Sequence, residues 1–294
     1  MILYLHCGYP KAASTYLQNY TFKKINEINL IDPLRQGLFD EIKEKLISVN
    51  EEEFLKNVDE FTKMLEDILV LDYKKKNIIS DEALTSIQYN YLSIVKSTQL
   101  FQRFEKILLK HNQITEVKYL LIERDPFKLL FSYYTMDNLF LKSFGINTHK
   151  QFIEFLIKKD LLKLFHSSYI KKITNQKVNI IDFKLLNENR ELFYKNLEEY
   201  FDLNFDIGDL INDSNPINFN MKDSNKVYND TKLLNKFLYK IRNNLFYDKF
   251  LRKLFKRKIK EKVKMFLNII FPSKKIFYDD STEKLIEQNI KKND

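Results

Sequence analysis

A short polar segment near the start of the chain carries the residue types that bind phosphate. Gly8 to Thr15 has the sequence Gly-Tyr-Pro-Lys-Ala-Ala-Ser-Thr, and it lies between an apolar run over residues 1–6 and apolar residues at helical spacing. A helix N-terminus presents unpaired N–H groups and about half a positive charge. Lys11, Ser14 and Thr15 add further donors. The pattern predicts a strand, a loop and a helix, with an anion site in the loop.

The loop lacks the spacing of an ATP- or GTP-hydrolysing P-loop. The Walker A pattern needs glycine, lysine and a hydroxyl residue in immediate succession, whereas Lys11 precedes Ser14 by three residues and a second glycine is absent. The chain has only 4 glycines, so Gly8 is expected where a side chain does not fit. Taken alone, the loop is also compatible with an incidental turn into a helix, with Lys11 in solvent.

A second candidate site follows the clearest predicted strand, Val117 to Ile122. Arg124 comes just after this strand, and Asp125 and Pro126 are typical of a helix N-cap and the first helical position. Ser132 falls within that helix. The fork of guanidinium donors matches the oxygens of a phosphate, so Arg124 is a candidate phosphate ligand, with a surface ion pair as the alternative.

Together these segments resemble the cofactor-binding elements of the sulfotransferases that use 3′-phosphoadenosine 5′-phosphosulfate (PAPS). The loop is similar to their 5′-phosphosulfate loop, which usually has Thr-Gly or a similar small pair where this chain has Ala12 and Ala13. Arg124 and Ser132 are spaced as the family spaces its pair for the cofactor 3′-phosphate. Residues 178–186 resemble, in weakened form, a later strand of the family. The family's Arg-Lys-Gly loop is missing, which points to a bacterial, glycan- or metabolite-directed branch.

The resemblance covers about residues 1–200 and implies a role for each matching residue. Lys11 would stabilise the leaving group, and Arg124 and Ser132 would bind the 3′-phosphate. The 5′-phosphate would be held by the remaining loop residues, Gly8, Tyr9, Pro10, Ala12, Ala13, Ser14 and Thr15. Sulfuryl transfer depends chiefly on in-line positioning and on cations placed where charge develops, so no metal is implied.

The implied reaction moves a sulfuryl group from PAPS to a hydroxyl or amine of a glycan, a lipid-linked saccharide or a small metabolite. Glu82, just after a short predicted strand at 77–80, resembles a carboxylate of bacterial relatives and is the candidate base. Asp81 is the second choice, and a helix N-terminal carboxylate without a catalytic role is the alternative. Two other functions stay open: a P-loop-type nucleotide kinase, and a catalytically silent binding protein peripheral to a membrane.

The remaining chemistry-bearing side chains are expected to be structural or exposed. The four histidines have no metal-ligand spacing and lack a convincing local context; they are His6, His111, His149 and His166. The single cysteine, Cys7, excludes an intrachain disulfide and agrees with a reducing compartment. Because it lies in the first strand, we expect it to be buried as a small apolar residue.

Strands and helices alternate over the first 200 residues. Predicted strands lie at 1–6, 27–31, 77–80, 117–122 and 177–183. Parallel neighbours need crossover connections, so the pattern predicts an α/β, P-loop-like three-layer fold, with a central parallel sheet flanked by helices and a helical C-terminal part. We expect one domain over residues 1–272 and a polar tail over 273–294.

The net charge of +9 is concentrated in one segment. Residues 240–264 contain eleven basic and two acidic residues, so the rest of the chain sums to zero. This distribution disfavours nucleic acid as a partner. Apolar and basic residues alternate at helical spacing over 246–272, which predicts a basic amphipathic helix. It packs on the domain or lies on an anionic membrane surface, and binding to an acidic polymer or nucleic acid is the remaining alternative.

The sequence predicts a cytoplasmic protein, peripheral at the inner membrane face if the basic helix binds lipid. The longest stretch without a charged residue, 83–95, has 13 residues, whereas a membrane span needs about 20 apolar residues. The first nine residues do not have the pattern of a signal peptide.

Overall fold

The computed structural model describes residues 1–9, 12–31, 38–81, 84, 95–174, 176–212, 228–230, 274–276 and 280–290. Within these ranges, five strands form the main sheet: β1 (Ile2–His6), β2 (Ile28–Ile31), β3 (Lys76–Ser80), β4 (Glu116–Glu123) and β5 (Val178–Asp182). Their order is β2-β3-β1-β4-β5, and every neighbouring pair is parallel. All five predicted strands are therefore confirmed.

Helices connect successive strands. Helix α1 (Ser14–Tyr16) continues as a π-helix (Leu17–Phe22) between β1 and β2. Between β2 and β3 lie α2 (Leu38–Ser48), α3 (Glu51–Lys56) and α4 (Val58–Ile68), and α5 (Val95–Lys110) precedes β4. Between β4 and β5 lie α6 (Pro126–Ser143), α7 (His149–Lys158), a 3₁₀ helix (Leu162–Phe165) and α8 (Ser167–Ile173). After β5 come α9 (Phe183–Glu188), α10 (Arg190–Phe201), α11 (Ile207–Asn212) and α12 (Asp280–Ile290).

The two faces of the sheet bury separate apolar cores. Tyr4 and Leu120 point to the face covered by α1, α6, α7 and α10. The neighbouring strand residues Leu3, Leu5 and Leu121 point to the other face, which α2, α4 and α5 cover. Successive strand residues alternate between faces, so both sides of the sheet are apolar. The predicted three-layer α/β architecture is confirmed.

Two local predictions are confirmed at the ends of strands. Helix α6 begins at Pro126, and the Asp125 carboxylate accepts a hydrogen bond from the Lys128 N–H at 2.8 Å, which makes Asp125 the N-cap. Cys7 is fully buried in the core. Burial raises the pKa of the Cys7 thiol, so it remains protonated.

The C-terminal part contains elements that the sequence analysis did not predict. Strands β6 (Tyr228–Asp230) and β7 (Lys274–Ile276) form an antiparallel pair. Helix α12 lies in the segment expected as a polar tail, yet it packs against α6 and α7 and buries Ile286 in the core. The predicted basic helix at 246–272 lies outside the described residues. No helix of the described ranges is long and apolar enough to cross a membrane.

Candidate anion site at the carboxyl edge of the sheet

The strand order brings the carboxyl ends of β3, β1 and β4 side by side. His6, the last residue of β1, is in register with Ser80 on one side and Leu120 on the other. The helix after β1 covers one face of the sheet, and the helix after β3 covers the other. The connections thus diverge between β1 and β3, and open α/β sheets bind ligands in the crevice at such a point.

The loop after β1 folds tightly into α1. The Ala12 N–H donates to the Tyr9 carbonyl at 3.0 Å, and the Leu17 N–H donates to the Ala13 carbonyl at 2.9 Å. Ala13 has φ 65° and ψ 14°, a left-handed conformation, which is strained for residues with a Cβ. A glycine, which has no Cβ, would adopt this conformation without strain. Pro10 and Lys11 lie outside the described residues.

Gly8 lies where a side chain does not fit, as the sequence analysis expected. A Cβ at Gly8 would be 2.8 Å from Nε2 of His6 and 3.5 Å from Oγ of Ser14. The His6 ring has little freedom to move, because its Nδ1 lies 2.7 Å from Oγ of Ser80 and it packs edge-on against Phe22. Glycine at position 8 therefore lets the loop pass close over His6.

Three buried polar atoms belong to the loop residues Tyr9 and Ser14 and to His6, which precedes the loop. His6 Nε2, Ser14 Oγ and Tyr9 Oη have no hydrogen-bond partner among the described residues, and such atoms are rare inside proteins. Burial raises the pKa of the Tyr9 phenol, so its hydroxyl stays protonated. Thr15, the other predicted hydroxyl, is exposed. The loop thus offers neutral hydrogen-bonding groups beside a helix N-terminus.

At the end of β3, Asp81 is fixed by a buried ion pair. Its Oδ2 lies 2.9 Å from Nζ of Lys43, and the side chains are 1% and 8% exposed. The Asp81 N–H also donates to the His6 carbonyl at 2.9 Å. Proton transfer to Asp81 would disrupt this pair, so its geometry suits a structural role better than that of a base. Glu82, the first-choice base, lies outside the described residues, and its role stays a prediction.

The second candidate site lies at the end of β4, beside β1. The Arg124 guanidinium is half-buried, with Cζ 5.3 Å from the centre of the Phe183 ring. Phe183 directly follows β5, in the weakly similar segment 178–186. Ser132, also half-buried, lies about two turns into α6. The structure thus brings the Arg124 segment to the same edge of the sheet as the Gly8 loop.

His6 is the site residue that the sequence analysis missed. Only Cys7 separates it from Gly8, and positions two apart on an extended chain lie on the same side, so this spacing could have placed His6 beneath the loop. The other histidines lie elsewhere; His149, for example, packs edge-on against Phe127 and Phe131. In the part of the chain that the structure describes, no group of three or more His, Cys, Asp or Glu side chains could hold a metal ion.

Comparison with known proteins gives this site no family. No protein-family model matches the chain, and no curated protein matches it.

Proposed function

We propose that the chain is a PAPS-dependent sulfotransferase that acts on a hydroxyl or amine, with a glycan or lipid-linked saccharide as the preferred acceptor class. One observation carries the proposal: the Gly8 loop and the Arg124 segment, each similar to one half of a PAPS site, follow adjacent parallel strands. Both therefore end at the same edge of the sheet, where two phosphate groups of a single nucleotide can be bound.

The buried ion pair leaves Asp81 poorly placed to bind the Mg²⁺ that the nucleotide-kinase alternative would use. Nucleotide kinases use Mg²⁺, which is commonly bound through carboxylates and substrate phosphates. Asp81 stands at the crevice end of β3, but its carboxylate faces the Lys43 ammonium at 2.9 Å. Positioned cations and N–H donors can stabilise the charge that develops during sulfuryl transfer.

Each residue then has a defined task. Lys11 neutralises the charge that develops on the phosphate oxygen as its bond to sulfur breaks. Glu82 accepts the proton of the acceptor hydroxyl as the new oxygen–sulfur bond forms. Arg124 and Ser132 bind the 3′-phosphate, which is remote from the reacting atoms and is held equally in the ground and transition states.

Transfer of ³⁵S from labelled PAPS to a panel of glycan, lipid-linked and small-molecule acceptors tests the proposal. Wild type should label at least one acceptor, and Lys11→Ala should lose roughly 3 to 4 kcal/mol of transition-state stabilisation while the fold is kept. Lys11→Ala with wild-type turnover would contradict the role of this lysine. Nucleotide binding without transfer to any acceptor would favour a catalytically silent protein, and Mg-ATP binding in place of adenosine 3′,5′-bisphosphate would favour a kinase.

The acceptor class depends on the basic segment at 246–272, which lies outside the described residues. If this segment is a membrane-binding helix, it brings the enzyme to a lipid-attached acceptor. Flotation with liposomes should then require anionic lipid, weaken with added salt, and disappear when residues 246–272 are deleted. Flotation that is indifferent to lipid charge, or no flotation, would leave the segment as an ordinary packed helix.

A further inference from the structure

A hydrogen-bonded chain of buried side chains lies directly beneath the Gly8 loop. The His6 Nδ1 is 2.7 Å from Oγ of Ser80, and the Gln18 Nε2 is 3.0 Å from both the Oγ and the carbonyl oxygen of Ser80. The three side chains are at most 6% exposed. These hydrogen bonds link β1, β3 and the π-helix at the crevice.

This chain of hydrogen bonds determines which nitrogen of His6 carries the proton. A carbonyl oxygen only accepts, so the Gln18 group that faces the Ser80 carbonyl must be the NH₂, and its second proton is directed to Ser80 Oγ. The Ser80 hydroxyl then needs an acceptor, and within the described residues His6 Nδ1 provides it. The proton of the neutral ring is therefore on Nε2.

The Nε2–H of His6 points toward the Gly8 loop. Nε2 lies 2.8 Å, and Ser14 Oγ 3.5 Å, from the position that a Cβ on Gly8 would take. Both atoms are buried, and neither has a partner among the described residues. Burial lowers the pKa of His6 to about 4, so at neutral pH the ring is an uncharged donor. Both groups therefore flank Gly8 with hydrogen-bonding capacity that no described residue uses.

We propose that His6 Nε2–H, together with Ser14 Oγ, donates a hydrogen bond to an oxygen of the anion held by the Gly8–Thr15 loop, and that Ser80 and Gln18 fix the required tautomer. This inference rests on the proposed function in identifying that anion as the 5′-phosphate end of PAPS. A neutral donor orients the phosphate without adding charge, and charge neutralisation remains with Lys11.

Two substitutions separate the donor from the packing of the ring. In His6→Asn, the shorter amide can still pair with Ser80 but does not reach the loop. In His6→Gln, the amide nitrogen reaches approximately as far as Nε2. Calorimetric titration with adenosine 3′,5′-bisphosphate and with adenosine 3′-monophosphate, which lacks the 5′-phosphate, reports on the loop selectively. Circular dichroism and thermal unfolding of both variants verify the fold.

We expect His6→Asn to weaken binding of the bisphosphate at least about tenfold, as for loss of a hydrogen bond to a charged group. Binding of the 3′-monophosphate should stay unchanged, and His6→Gln should recover most of the loss. Unchanged bisphosphate affinity in His6→Asn would overturn the inference. An equal loss for both nucleotides would also overturn it, because His6 would then have only a structural role.

Inorganic pyrophosphate separates this inference from the proposed function. If wild type does not bind the bisphosphate but binds pyrophosphate, and His6→Asn weakens that binding tenfold, the donor role stands and the PAPS assignment fails. If wild type binds none of these anions, both fail. Should His6→Asn not fold, Ser80→Ala tests the tautomer with His6 intact. It should weaken bisphosphate binding alone, and unchanged affinity would overturn the role of the Ser80 link.

Discussion

The close approach of the loop to β1 predicts that Gly8→Ala destabilises the protein through a clash with His6. The new methyl carbon would lie 2.8 Å from His6 Nε2, whereas optimal contacts between heavy atoms are about 3.5 Å or longer. Gly8 does not have a positive φ, so the alanine backbone itself is unstrained. The expected loss of stability therefore arises from the overlap of about 0.7 Å.

The magnitude follows from how little the His6 ring can give way. The ring is 1% exposed, hydrogen-bonded to Ser80 and packed against Phe22. Overpacking at such a site costs about 1 to 3 kcal/mol. We expect Gly8→Ala to lower the free energy of unfolding by about 2 kcal/mol, which is roughly a 30-fold change in the folding equilibrium constant.

Urea unfolding of a double-mutant cycle measures this effect. In a His6→Ala background, where the ring is gone, Gly8→Ala should cost less than about 0.5 kcal/mol, which gives a coupling energy of at least about 1 kcal/mol. Gly145→Ala is the matched control: its Cβ would meet nothing within 4 Å and its φ is +80°, so it should lose a similar amount in both backgrounds. An equal loss from Gly8→Ala in both backgrounds would show that contact with the His6 ring is not the cause.

Three further predictions concern the same edge of the sheet. Ala13→Gly should leave the free energy of unfolding unchanged or raise it by up to about 1 kcal/mol, because relief of the left-handed strain offsets the extra freedom of the unfolded chain. A decrease of about 1 kcal/mol in the free energy of unfolding, which is usual for this change in a helix, would contradict the left-handed conformation of Ala13. Asp81→Asn should lower the free energy of unfolding by about 3 kcal/mol or more, because the buried Lys43 ammonium loses the Asp81 carboxylate. In the same urea assay, Lys43→Met combined with Asp81→Leu should recover most of that loss. The pKa of His6 falls from 6.5 to about 4 on folding, so the unfolded state takes up the proton first, and His6 lowers the free energy of unfolding as the pH falls from about 6.5 to about 4. Urea unfolding across this range should show that the free energy of unfolding depends less steeply on pH in His6→Gln than in wild type. Identical pH profiles would contradict the burial of the ring.

The sequence is informative about the sheet because its strands are buried on both faces. In the run Val117 to Ile122 every residue except Lys118 is apolar or aromatic, and charged residues follow it directly. The N-cap at Asp125 depends only on residues within four positions, and it too is predictable. Local patterns of this kind determine the α/β fold and the two loops that follow β1 and β4.

The parts of the site that escape sequence reasoning depend on contacts between distant residues. The Lys43–Asp81 pair joins side chains 38 positions apart, and the His6–Ser80 hydrogen bond joins side chains 74 positions apart. Neither contact has a local sequence signal. Ala13 is a helix-favouring residue, and only the closure of the loop reveals its left-handed conformation.

Titration calorimetry with adenosine 3′,5′-bisphosphate, without added metal, tests the central claim that one nucleotide spans the two loops. We predict one-to-one binding to wild type and at least about tenfold weaker binding of adenosine 5′-monophosphate. This difference should be lost in Arg124→Ala, because in the proposed site the guanidinium binds the 3′-phosphate alone. No binding of the bisphosphate, or an affinity that Arg124→Ala leaves unchanged, would contradict the account.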